Sequence, residues 1–118
     1  MGEKTSHEYG LERDAKIVDK IKADEAHKVL KQELITIQYE IAKWKVRREE
    51  VAGKLITERQ NIELKKEINK CKYEISVLRV QQKELEGKLN KSRFLIKKFI
   101  DEIELLKGRF FSAKDSGI

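Results

Sequence analysis

The chain has 118 residues, of which 41% are charged and 39% hydrophobic, with six glycines, no proline and a formal net charge of +6. So little turn chemistry, with only 7% aromatic residues, argues against a thick globular core and matches the composition of long helices and coiled coils. No apolar run approaches the roughly 18 residues needed to cross a bilayer, so no membrane span is expected.

A single cysteine, Cys71, excludes an internal disulfide framework and fits a reducing compartment. The expected location is the cytoplasm, in association with the cytoskeleton, with the nucleus left open. The N-terminus has no apolar signal core. It reads Met1-Gly2-x-x-x-Ser6, the minimal myristoylation pattern, but Glu3 beside the acceptor glycine argues against that use. Residues 1–10 are polar and form an expected tail, in which Thr5-x-x-Glu8 resembles a helix cap. From 11 to 29 apolar residues (Leu11, Ala15, Val18, Ala26, Val29) recur at helical spacing, though less regularly than later.

Residues 33–50, ELITIQYEIAKWKVRREE, present two competing periods. Ile35, Ile37, Tyr39 and Ile41 alternate as in a strand, whereas Leu34, Ile37, Ile41 and Trp44 recur at helical steps. A strand would need nearby turn residues, and the next glycine is Gly53. The helical pattern instead continues for many turns. Leu34, Ile41, Arg48, Leu55 and Ile62 occupy heptad position a, and Ile37, Trp44, Val51 and Glu58 position d. A second run places Ile68, Ile75, Gln82, Leu89, Ile96, Ile103 and Phe110 at a. Its d positions are Cys71, Leu78, Leu85, Ser92, Phe99 and Leu106. The apolar members of both runs are expected to form an oligomer seam.

The alternation has its own cause. Ile35, Tyr39, Ala42, Val46 and Ile56 fall at b and f, away from the seam, and Tyr73, Val77, Val80, Phe94 and Leu105 make a thinner stripe at c and f. A helix apolar on two faces is expected to touch more than one neighbour. Ile35, Tyr39, Val46, Ile56, Tyr73, Val80 and Phe94 are therefore candidate partner contacts.

The chain also repeats. Residues 30–62 lie over 64–96 with thirteen identities in 33 positions, including Tyr-Glu-Ile at 39–41 and 73–75 and Gly-Lys-Leu at 53–55 and 87–89. The 34-residue offset is one short of five heptads, so the register slips by one residue near 58–64. Tetratricopeptide repeats share this period, but their Trp-Leu-Gly-Tyr and proline pattern is absent. The heptads run through Gly53 and Gly87, which sit at the outward f position. The expected fold is thus all-α, a long and mostly continuous coiled-coil helix over 11–108. The alternative is an antiparallel hairpin or three-helix bundle, for which Thr57-x-x-Gln60 offers a cap. Polar seam positions Arg48, Glu58, Gln82 and Ser92 favour an antiparallel homodimeric or pseudo-symmetric pairing centred near residue 70, with Arg48 against Ser92 and Leu34 against Leu106, contacts that an intrachain hairpin turning near Asn69 would also give. After Gly108 the helix is expected to stop, leaving 109–118 as a tail whose Phe110 and Phe111 could anchor on a partner.

No chemistry-bearing constellation emerges. His7 and His27 are the only histidines and lie far apart, Asp24 and His27 alone do not make a metal site, and Cys71 sits at a seam position. No glycine-rich phosphate loop is present. The expectation is no enzyme, no cofactor and no metal. The basic excess of residues 43–72, ten Lys/Arg against five Asp/Glu, includes Lys43, Lys45, Arg47 and Arg48 around Trp44. These cations spread around a helix, and Trp44 belongs to the seam, so nucleic acid is a poor partner. The sequence therefore points to a structural coiled-coil scaffold in a cytoskeletal or axonemal-type filament, pairing with other coiled-coil chains of its own or another kind. The runner-up is an adaptor whose basic middle binds an acidic polymer such as tubulin.

Overall fold

The computed structural model describes residues 4–115, which contain two α-helices and no strand. Helix α1 runs Ser6–Thr57 and helix α2 runs Ile62–Asp115. The fold is all-α, and the expected coiled coil takes the form of a helical hairpin. The single continuous helix over 11–108 is not formed, because the chain breaks at Glu58–Asn61. Gly2, the myristoylation candidate, lies outside the described residues.

Each helix begins with a side-chain cap. Thr5 Oγ1 accepts a hydrogen bond from the Glu8 N–H at 3.2 Å, satisfying one of the free donors of the first turn of α1. At α2, Asn61 Oδ1 accepts from the Leu64 N–H at 3.1 Å, and Glu63 supplies negative charge in the first turn. The end of α1 is closed by the Glu58 N–H donating to the Lys54 carbonyl at 3.0 Å and by the Thr57 hydroxyl donating to the same oxygen at 3.0 Å. The Asn61 N–H then bonds the Glu58 carbonyl at 3.0 Å, completing a tight turn without glycine or proline. The cap is therefore Asn61, not the Thr57-x-x-Gln60 box. Asn61→Ala is expected to cost about 1 kcal/mol, read as a lower melting temperature with unchanged helix content.

Contacts divide the chain into two units. The first, Leu30–Lys88, contains the turn and the facing parts of both helices. Its interior is made by Ile41, Val51, Cys71, Ile75 and Leu85, all buried, with Val51 and Cys71 at 0% exposure. Leu34, Ile37, Trp44, Leu55, Ile68 and Leu78 flank them half-buried, and Ile62, in the first turn of α2, is exposed. The second unit joins the chain up to Val29 to the chain from Leu89 onward. Ala23, Leu89, Leu106 and Ala113 are buried there, and Ile96, Phe99 and Ile103 are half-buried. Helix α2 does not stop at Gly108. Phe110 is half-buried, its ring 3.6 Å from where a Cβ on Gly10 would stand, and Ala113 is buried one turn farther on. This packing outweighs the roughly 1 kcal/mol that a mid-helix glycine costs.

The hairpin also replaces the pairing centred near residue 70. In the second unit Ser92 Oγ lies 2.9 Å from His27 Nδ1, not against Arg48. In the first unit Arg47 reaches Glu67, and Lys70 lies 5.9 Å from the Trp44 ring. The turn accounts for the change: helices connected at Glu58–Asn61 must pair about that point.

Candidate functional site

All the residues expected to form an oligomer seam except the exposed Ile62 lie along the facing sides of α1 and α2 within one chain. Leu34, Ile37, Ile41, Trp44, Val51, Leu55, Ile68, Ile75, Leu78 and Leu85 do so in the first unit, and Leu89, Ile96, Phe99, Ile103 and Leu106 in the second. A seam filled by the chain's own second helix leaves the surface that partners could meet to the outward faces.

Every candidate second-face residue is exposed. On α1 these are Ile35, Tyr39, Val46 and Ile56, and on α2 Tyr73, Val80 and Phe94, with Tyr39 at 65% and Phe94 at 78% exposure. The α1 set follows from its spacing: steps of four, seven and ten residues keep one side of a helix together. Tyr39, Ala42 and Val46 line a shallow groove with Lys43, Arg47 and Glu50. The same heptad columns of α1 hold Leu11, Val18 and Ile21, also exposed, in the second unit. Their pattern is legible as helical, but only the structure assigns them to the outward side. Singly exposed apolar residues are ordinary; columns of them mark contact surfaces.

The four cations Lys43, Lys45, Arg47 and Arg48 do not converge. Arg47 donates through Nε to Glu67 on α2 at 2.6 Å and lies 3.4 Å from Glu50. The Glu67 hydrogen bond, then its charge, hold the Arg47 guanidinium above its ordinary value. Lys43 Nζ lies 3.8 Å from Glu40 and 5.7 Å from the Tyr39 ring. Lys45 and Arg48 are half-buried at the margins of the seam. A basic run occurs instead on α2, where Lys65, Lys72, Arg79 and Lys83, followed at the next heptad step by Glu86, are all exposed and have no ion pair among the described residues. The sequence carries a signal for it, since Lys65, Lys72 and Arg79 recur every seven residues at position e.

Among the described residues no group of three His, Cys, Asp or Glu side chains could hold a metal ion, and no helix is long and apolar enough to cross a membrane. Cys71 is a free, fully buried thiol packed as a small apolar residue. Phe110 stacks edge-to-face on Phe111 at 5.4 Å and receives the Arg13 guanidinium 5.1 Å from its ring centroid, so it is engaged within the chain while Phe111 stays exposed. No protein-family model, curated protein or solved structure matches this chain.

Proposed function

We propose that the chain is a structural helical-hairpin module that assembles with other helical chains through the outward side of α1, in a scaffold or filament of the cytoskeletal or axonemal kind. The observation that carries this reading is the exposure of Ile35, Tyr39 and Val46 in a unit whose facing sides are already filled. Fully burying such a side chain contributes roughly 1.5–3 kcal/mol, so three in one column supply a useful part of an interface. The adaptor reading, in which Lys43, Lys45, Arg47 and Arg48 hold an acidic polymer, has less support. Arg47 and Lys43 are already beside carboxylates of the same chain.

The test is a Tyr39→Lys/Val46→Lys chain expressed in place of the natural one. Both positions are exposed, so its melting temperature should stay within a few degrees of the parent. Its recovery in high-molecular-weight assemblies should fall at least tenfold. Normal incorporation of a folded double variant would remove the α1 face from the account.

A further inference from the structure

The α2 surface of the Leu30–Lys88 unit carries two parallel columns that the hairpin does not use. Tyr73, Val77 and Val80 stand at steps of four and three residues, with Tyr73 and Val80 exposed and Val77 half-buried. Beside them on the helix wheel run Lys65, Lys72, Arg79 and Lys83, with only Asn69 and Ser76 between them, until Glu86 ends the basic run. All four cations are exposed and unpaired among the described residues. The opposite flank is different: Glu67, Glu74 and Glu84 stand there, Glu67 already holding Arg47. Over residues 72–83 the face is thus apolar along its middle and basic along one edge, while Lys66 and Lys70 continue the apolar columns toward the turn.

We propose that this face docks an amphipathic helix whose apolar column is bordered by acidic residues on one side. Charge complementarity selects the acidic flank, and spacing selects a helix. Lys65, Lys72 and Arg79 repeat every seven residues, roughly 10.5 Å along the axis, which is also the repeat of any one heptad column on a partner helix. Such flanking charges set partner choice and direction in paired helices. A nucleic-acid backbone fits less well. Phosphates would gain nothing from Tyr73, Val77 and Val80 and would approach Glu74 and Glu84 on the far edge. An anionic membrane would demand a broader apolar face than one column. The inference rests on the assembly reading only in taking the partner to be helical, and it uses a different helix from the α1 face.

The experiment uses the full chain and a labelled synthetic four-heptad helical peptide with a Leu/Val column edged on one side by Glu, followed by fluorescence anisotropy. Its comparators are the same peptide with Lys in place of Glu, a duplex oligonucleotide and vesicles rich in anionic lipid. The Glu peptide should bind best and weaken at least tenfold as salt rises from low to several hundred millimolar. Lys72→Glu/Arg79→Glu should lower its affinity at least tenfold without moving the melting temperature and should gain affinity for the Lys peptide. Tyr39→Lys/Val46→Lys should leave peptide binding unchanged, so failure of the α1 face and failure of the α2 face are read separately. Glu-peptide binding indifferent to Lys72→Glu/Arg79→Glu would overturn the proposal, and so would tighter binding to the duplex or the vesicles than to the Glu peptide.

Discussion

A Val51→Asp chain is expected to lose cooperative unfolding and roughly half or more of its helical circular-dichroism signal at micromolar concentration. Val51 is at 0% exposure in the Leu30–Lys88 unit, where a carboxylate would lose its water among apolar neighbours. The effective penalty for burying an unpaired charge is several kcal/mol, on top of the lost transfer energy of the valine side chain. A domain of this size is stable by only about 5–15 kcal/mol, so one such change removes much of the margin. Two neighbouring positions on α1 give the contrast. Ile56 is 72% exposed, and Ile56→Asp should shift stability by no more than about 0.5 kcal/mol. A methyl group placed on Gly53 would meet nothing within 4 Å, so Gly53→Ala should stabilise the helix by about 0.5–1 kcal/mol. Thermal melts of the three variants side by side check the ordering. A Val51→Asp chain melting like the parent would mean that α1 does not bury this side against α2.

The apolar heptads make the helices and their inner sides legible, because burial on a helix repeats every three and four residues whatever the partner. Leu34, Ile41, Ile75 and Leu89 can be placed on that basis alone. The partner cannot, since an intrachain helix and a second chain fill a heptad seam with the same side chains. The turn is hidden for a different reason. Gly53, Gly87 and Gly108 stand out as breakers, yet all three lie within helices. The break is set by Asn61, whose side chain caps α2, and by the change in phase of the apolar columns at 58–64. In the sequence that slip resembles a coiled-coil irregularity; in the structure it coincides with the loop. The extension of α2 past Gly108 depends on long-range packing of Phe110 near Gly10, which no local pattern contains. Of the candidate contact surfaces, the second apolar column is legible as a pattern. The fate of the basic residues is not, because Arg47 is taken up by Glu67, twenty positions away on the other helix.

The phase slip makes the turn itself testable. Replacing Glu58–Asn61 by four alanines removes the Asn61 cap and supplies the best helix-forming residue throughout. Helix propagation through the junction would still leave the inner column of α2 rotated from that of α1 by about 100°, one residue's worth of helix. A single rod could not then keep both columns on one partner, and this chain should remain a hairpin monomer with a lower melting temperature. Replacing the same four residues by five alanines restores a 35-residue offset between the repeats, five whole heptads, and Leu55 and Ile68 fall into one column. Two such rods can lie antiparallel, α1 of each on α2 of the other, keeping the side chains of every seam layer while removing only the turn. Exchange of identical elements between chains of this kind is favoured when a hinge is made to prefer the extended form. The hairpin competes with an effective concentration in the millimolar range, so dimer should dominate as the protein concentration approaches that value. Concentration-dependent light-scattering mass therefore separates the two chains: doubled mass for five alanines, unchanged mass for four. Equal behaviour of the two would show that phase does not govern the fold-back, leaving the Asn61 cap and the local hydrogen bonds of Glu58 and Thr57 as its cause.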